Sequence, residues 1–197
     1  MLMTMMLVEN RFQPLRPSNN PQELEQMLAQ IALGSQTAFE SLYRATDSAI
    51  YGYALSLTKN HHEAQDVMMD TYLKIRCAAH LYVPQGKPMA WILTITKNLA
   101  FTRLRAAGRQ IPTEEIEQPA PPFDHDTEEA IALEQAMQVL EEQERQILVL
   151  HAVTGLKHRE IAEITGLPLS TVLSKYARSL KKVRKVLLEE PSSRKEV

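Results

Sequence analysis

The chain has 197 residues, with 22 Lys and Arg, 24 Asp and Glu, six glycines and one cysteine. The single Cys77 excludes a disulfide within the chain and suits a reducing cytoplasm, and no apolar run approaches the ~20 residues of a membrane-spanning helix. Glycine is scarce and the helical periodicity of apolar residues continues over long segments, so we predict an all-α protein.

The net charge of −2 is unevenly distributed along the chain. Residues 1–110 carry 11 basic and 8 acidic side chains, and residues 137–197 carry the same numbers. Residues 111–136 carry 8 acidic side chains and no basic one, and their Pro-rich centre cannot form a helix. The acidity serves solubility, keeps the two flanking basic blocks off DNA, or lets the segment occupy a channel meant for nucleic acid. The predicted organisation is a disordered tail at residues 1–20, a helical domain at 21–110, a flexible acidic Pro-rich linker at 111–129 and a second helical domain at 130–190.

The N-terminal block is predicted to contain four helices. Residues 1–8 are apolar, but they are few and no basic residue precedes them, so they make a poor signal peptide and belong to the tail. Polar and glycine residues interrupt the periodic pattern that follows, and a loop occupies residues 81–88. The predicted helices cover residues 22–33, 38–57, 63–79 and 89–107.

The loop and the last helix of this block predict a surface for melted DNA. The only tryptophan, Trp91, comes directly after the loop, and Lys97, Arg103 and Arg105 follow on the helix. Aromatic rings can stack on unpaired bases while cations bind the phosphates. The alternative is that Trp91 is a core residue, which is the commoner role of a lone tryptophan.

Residues 157–185 predict a helix-turn-helix. Gly166 can adopt the positive φ of a tight turn, Ala162 leaves room where the two helices cross, and Ser170 is expected to cap the second helix. Residues 173–185 contain six basic side chains and no acidic one. A basic second helix of this kind reads the major groove of DNA.

The side chains of this motif separate onto two faces. The apolar ones recur at three- and four-residue steps and are predicted to fill the space between helices: Ile161, Ile164, Leu167, Val172, Tyr176, Leu180 and Val183. The outer face carries Thr171, Leu173, Ser174, Lys175, Arg178 and Lys182. The alternative is an ordinary helical hairpin with a solvated lysine face.

Three segments and the helix-turn-helix together resemble a known family. AFESLY at residues 38–43, EAQDVMMDTYL at 63–73 and AWILTITKNLA at 90–100 occur in the order and spacing of bacterial sigma factors. The chain resembles a two-domain sigma-70 factor of the extracytoplasmic-function group. This resemblance implies binding to core RNA polymerase, recognition and melting of promoter DNA, and no catalytic activity, cofactor, metal or small-molecule substrate. An anti-sigma protein, frequently membrane-tethered, often holds such factors.

The resemblance also implies roles for particular residues. Those that match the polymerase-binding helix are Ala64, Gln65, Asp66, Met69, Asp70, Tyr72 and Leu73. Those that match the part that captures the melted minus-ten element are Tyr82, Lys87, Trp91, Lys97, Asn98, Thr102, Arg103 and Arg105. The second helix of the helix-turn-helix, with the outer face given above, matches the minus-thirty-five reader.

The chain departs from the family pattern at a few positions. Leu173 stands where Lys is common, and Lys175 stands where Arg is frequent. Because Lys lacks the planar fork that reads guanine, we expect this chain either to prefer a different promoter element or to rely more on phosphate contacts. Cys77 replaces a usual tryptophan and is expected to be a small apolar filler.

The sequence is also compatible with two other functions. A DNA-binding regulator could keep the helix-turn-helix without binding polymerase. A helical metalloenzyme could use the cluster of His61, His62, Glu63, Asp66 and Asp70, although an acidic first turn that favours the helix dipole explains the carboxylates more simply. Apart from polymerase, the two basic blocks are expected to pack together and hide their DNA faces.

Overall fold

A computed structural model describes residues 20–106, 108, 133 and 135–189. All regular structure in these residues is helical, which confirms the all-α prediction. The helices are α1 Pro21–Ala32, α2 Gln36–Thr58, α3 His61–Ala78, α4 Pro88–Ala106, α5 Glu142–Ala152, α6 His158–Thr165 and α7 Leu169–Glu189, with a 3₁₀ turn at Ala79–Leu81. The predicted linker at 111–129 and the predicted tail up to residue 19 lie outside the described residues.

Polar side chains fix the starts of the first three helices. Asn20 accepts a hydrogen bond from the Gln22 N–H at 3.1 Å, and Ser35 accepts one from the Ala38 N–H at 3.3 Å. At the start of α3, Asn60 accepts a hydrogen bond from the Glu63 N–H at 3.1 Å. Each cap satisfies an amide that has no partner inside its helix, so the helix starts are encoded locally in the sequence.

Helix α2 is the centre of the N-terminal block. It packs against α1, α3 and α4, and its inner side chains are fully buried. This arrangement presents one side of α3 and one side of α4 to the outside. The fully buried large side chains of the block are Leu24, Leu28, Leu42, Ile50, Tyr53, Leu57, Ile75, Ile92 and Leu93.

The C-terminal block packs directly on the N-terminal block, as expected. Helix α5 lies against α2, α6 lies against α4, and one hydrophobic cluster includes buried residues of both blocks. A Cβ atom built on Gly52 would lie 3.7 Å from Val153 Cγ1, and Lys59 Nζ lies 3.3 Å from Glu142 Oε2. The two blocks therefore share a partly apolar interface.

The helix-turn-helix forms as predicted, with one correction. Gly166 ends α6 with φ of 75°, in the left-handed region that favours glycine. Helix α7 begins at Leu169, so Ser170 lies within the helix and the prediction that it is the cap is wrong. The Pro168 carbonyl accepts the N–H groups of Thr171 and Val172 at 2.9 and 3.1 Å, because the helix begins two residues earlier than expected. Among the described helices, none is both long and apolar enough to cross a bilayer.

Candidate nucleic-acid and polymerase interface

The predicted minus-thirty-five face lies on α7. Val172, Val183 and Leu187 are buried on the inner side of this helix, whereas Leu173, Ser174 and Arg178 are exposed on the outer side. Thr171 is half-buried. The separation of apolar and polar residues follows the 3.6-residue helical period, so the predicted face is a continuous surface.

Two lysines of this face are held by carboxylates at the start of α5. Lys182 Nζ lies 2.7 Å from Glu144 Oε2, and Lys175 Nζ lies 3.4 Å from Glu141 Oε2. Burial alone would raise the pKa of Glu144, but hydrogen bonds from Lys182 and from the Glu141 N–H bring this pKa below its ordinary value. The lysine ammonium groups therefore have fixed positions beside α5.

We expect Arg178→Ala to weaken binding to duplex minus-thirty-five DNA by roughly tenfold. Arg178 is exposed, and one good contact between an arginine and a base contributes about 1–3 kcal/mol of discrimination. The measurement is fluorescence anisotropy with labelled promoter duplex. Arg184→Ala on the same helix is the control. An Arg178→Ala protein that binds as tightly as the Arg184→Ala protein would show that the recognition face is misassigned.

An aromatic cluster beneath α7 has no counterpart in the sequence predictions. The rings of His151 and His158 stack with centroids 4.4 Å apart, and the Tyr176 ring meets them edge-on at 4.7 and 4.8 Å. His151 Nδ1 lies 2.8 Å from the Leu156 carbonyl oxygen, whereas His158 Nε2 is buried without a hydrogen-bond partner. Burial, and then the neighbouring His151, lower the pKa of His158 below 6.5. This histidine is therefore a neutral packing residue at neutral pH.

We expect the protein to lose stability as the pH falls below about 6.5. The unfolded chain binds the His158 proton more readily than the folded protein does, so the free energy of unfolding decreases as the pH falls from 6.5 towards the folded pKa. His158→Phe should flatten this dependence between pH 7 and 5.5 in urea titrations. The exposed His80→Gln is the control, and equal slopes for the wild type and His158→Phe would contradict the assignment.

The predicted minus-ten loop borders a cavity at the junction of the two blocks. The Tyr82 and Trp91 rings lie 5.2 Å apart, and Trp91 is half-buried. The cavity has a volume of about 340 Å³, and Glu163 and Ile164 of α6 line it on the side of the C-terminal block. Trp91 packs against the core, as the alternative predicts, and its ring also lines this cavity.

Two predicted DNA-binding lysines are engaged by α6. Lys87 Nζ lies 2.9 and 3.0 Å from the two carboxylate oxygens of Glu163. Lys97 Nζ donates a hydrogen bond to the Ile164 carbonyl oxygen at 2.6 Å, and burial lowers the pKa of Lys97. These ammonium groups cannot bind DNA phosphates at full strength while α6 is docked. The other predicted contacts on α4, Asn98, Thr102 and Arg105, are exposed.

Arg103 links the predicted DNA-binding and polymerase-binding surfaces. Its guanidinium lies 2.6 Å from Asp70 Oδ2 and 2.8 Å from Asp66 Oδ2. These carboxylates, which the metalloenzyme alternative would use as ligands, are thus paired with an arginine. Among the described residues, no three His, Cys, Asp or Glu side chains lie close enough to hold a metal ion.

The outer side of α3 carries exposed apolar side chains. Met69 is 55% exposed and Leu73 is 59% exposed, and Gln65 and Asp66 are exposed beside them. Exposed methionine and leucine on one helical face, next to carboxylates, are typical of a surface that binds another protein.

Three predictions for α3 are corrected. Ala64 and Tyr72 were assigned to polymerase binding, but both are buried on the inner side of the helix, where the Tyr72 hydroxyl lies 2.8 Å from Thr46 Oγ1. Ala64, Val67 and Tyr72 lie on the same buried side of α3, because their spacing follows the helical period. Cys77 is exposed, so the prediction that it fills an apolar gap is also wrong.

The fold defines an all-α protein in which a helix-turn-helix is packed on a four-helix block. Two family profiles match this arrangement: Sigma-70 region 2 over residues 42–110 and Sigma-70, region 4 over residues 130–183. Together they cover more than half of the chain, and the chain belongs to the sigma-70 family.

A curated protein agrees with this assignment, and two solved structures share the fold. The ECF RNA polymerase sigma factor SigK of Mycobacterium sp. (strain KMS) is 28% identical over 173 residues, which cover 83% of this chain and 90% of SigK. CnrH, solved with the cytosolic domain of CnrY, has a TM-score of 0.62 at 23% identity, over 85% of this chain and 99% of CnrH. Bartonella quintana RpoE, solved with the anti-sigma factor NepR, has a TM-score of 0.63 at 22% identity, over 77% of this chain and 98% of RpoE. The solved structures support the fold.

Proposed function

We propose that this chain is a sigma factor of the extracytoplasmic-function group, which binds core RNA polymerase and directs it to promoters. The observation that carries the proposal is the presence, in one chain, of both sigma-70 regions. Each region has a surface suited to its role, namely α3 for polymerase, α4 with the 82–87 loop for melted DNA, and α7 for duplex DNA. The chain acts where polymerase and DNA are, in the cytoplasm, and catalyses no reaction itself.

Promoter recognition requires the two blocks to separate. The minus-ten and minus-thirty-five elements are about 25 base pairs apart, which is about 85 Å along B-DNA at ~3.4 Å per base pair. A compact body of about 144 residues, the number that the structure describes, has a diameter of only about 40 Å. The docked arrangement, in which α6 engages Lys87 and Lys97, is therefore a resting form that cannot contact both elements at once.

We also propose an anti-sigma protein as a partner. RpoE of Bartonella quintana was solved with the anti-sigma factor NepR, and its fold matches this chain. A partner that binds both blocks would stabilise the resting form by mass action, because it binds that form and not the open one. The exposed apolar side of α3 would then be covered by either polymerase or the inhibitor.

Transcription in vitro tests the proposed function. Purified protein and core polymerase would be incubated with a library of random promoter sequences, and the transcripts would be sequenced. We expect start sites that depend on the added chain and share two elements with a fixed spacing. A protein that binds duplex DNA but neither binds polymerase nor yields transcripts would instead be a helix-turn-helix regulator, and the proposal would be wrong.

A further inference from the structure

One carboxylate oxygen of α1 organises the loop at residues 82–87. Glu25 Oε1 accepts hydrogen bonds from the Tyr82 hydroxyl at 2.8 Å, the Gln85 N–H at 3.0 Å and the Gly86 N–H at 2.8 Å. Glu25 lies 57 to 61 residues before these donors in the chain, so this is a tertiary contact. Three donors on a single carboxylate oxygen fix both the backbone and a side chain of the loop.

The loop is built to present these donors to an anion. Gly86 has φ of 71°, which a residue with a side chain rarely adopts, and this turn aims two successive N–H groups in one direction. The hydrogen bond from Tyr82 and those from the Gly86 and Gln85 amides lower the pKa of Glu25, so it is a carboxylate at neutral pH. Burial, together with Glu25, raises the pKa of Tyr82 to about 12, so its hydroxyl keeps its proton.

The anchoring helix is itself firmly placed. Leu24, Leu28 and Ile31 of α1 are buried in the core of the N-terminal block. Helix α1 lies before residue 42, where the region 2 profile match begins. Glu25 therefore lies outside the part of the chain that the Sigma-70 region 2 profile matches.

We propose that Glu25 is a positioning residue that holds the 82–87 loop in the shape that captures melted minus-ten DNA. It sets the Tyr82 ring, which lies 5.2 Å from Trp91, and it fixes the turn immediately before Lys87. Glu25 does not touch DNA in this assignment, because its accepting oxygen is occupied by the loop. The role of Glu25 in promoter opening rests on the proposed sigma-factor function. Its role in holding the 82–87 loop can be tested on the free protein.

The fluorescence of Trp91 tests the structural part. Trp91 is the only tryptophan, and its neighbour Tyr82 is held by Glu25, so its emission reports on the loop. Glu25→Ala should increase acrylamide quenching of Trp91 and change its emission maximum. Glu25→Gln retains a neutral acceptor and should lie between Glu25→Ala and the wild type. Glu23→Ala, an exposed acid on the same helix, should match the wild type. Identical quenching of all four proteins would overturn the inference.

Promoter opening tests the functional part. With holoenzyme and a promoter recovered from the random library, Glu25→Ala should reduce open-complex formation about tenfold, since charge-assisted hydrogen bonds to the loop are lost. Binding to core polymerase and to duplex minus-thirty-five DNA should not change, which a general loss of folding would not reproduce. Tyr82→Phe, which removes one donor, should give a smaller reduction.

The two possible failures can be told apart. If wild-type protein yields no transcripts with core polymerase, the proposed function fails. If wild-type holoenzyme is active and Glu25→Ala opens promoters as well as Glu23→Ala does, the positioning role of Glu25 is wrong while the proposed function stands.

Discussion

A disulfide between α2 and α5 should reduce transcription initiation about 100-fold, and a reducing agent should restore it. The variant combines Gly52→Cys with Val153→Cys, and Cys77→Ser removes the exposed native thiol. A Cβ atom at residue 52 would lie 3.7 Å from Val153 Cγ1, so the two introduced side chains would be in contact across the block interface. The crosslink keeps α6 in contact with Lys87 and Lys97, so the blocks cannot separate. The residual activity then equals the fraction of molecules that lack the disulfide, about 1%.

The controls separate the crosslink from the substitutions. Each single-cysteine protein, treated with the same oxidant, should keep the activity of Cys77→Ser. Gel mobility without reducing agent measures the crosslinked fraction. Full transcription from a completely crosslinked protein would show that the docked arrangement is compatible with initiation, and the resting-form hypothesis would be wrong.

Leu73→Asp should weaken binding to core polymerase about 100-fold. Leu73 is 59% exposed on α3, where it lies beside Met69, and a charge placed in the buried centre of an interface costs several kcal/mol. The fold should be unaffected, because the side chain contributes little to the core. The affinity can be measured by titrating labelled protein with core polymerase.

Leu33→Asp provides the matched control for Leu73→Asp. Leu33 is also an exposed leucine, at 89%, but it lies at the end of α1 and belongs to no predicted interface. Equal affinities of the two variants for polymerase would contradict the assignment of the α3 surface. Asp66→Arg on the same face should also reduce binding, and it removes one of the two carboxylates that hold Arg103, which stays paired with Asp70.

Local patterns in the sequence explain which structural predictions succeed. The periodic segments predict α1 to α4 within about two residues at most ends, because caps such as Ser35 and Asn60 are encoded next to the helices they start. Gly166 is correctly identified because positive φ at a turn is a property of glycine itself. Ser170 fails as a cap because Leu169 and Ser170 both adopt helical geometry, and a shift of two residues cannot be read from composition.

Contacts between distant segments could not be predicted. Ala64 and Tyr72 match the family motif, but only the packed structure shows that they face α2 and the core and not a partner. The pairing of Lys87 with Glu163 joins two blocks that the charge pattern treats as separate. Glu25 reaches a loop about 60 residues away, and an isolated glutamate on an amphipathic helix gives no sign of it.

Energy transfer between dyes on the two blocks tests the account most directly. In a protein with Cys77→Ser, one dye would be attached to a cysteine replacing the exposed Leu33 at the end of α1 and the other to a cysteine replacing the exposed Arg184 on α7. We predict high transfer efficiency in the free protein and a large decrease when core polymerase is added, because binding separates the blocks to promoter distance. An efficiency that stays unchanged at saturating core polymerase would contradict both the proposed function and the opening that it requires.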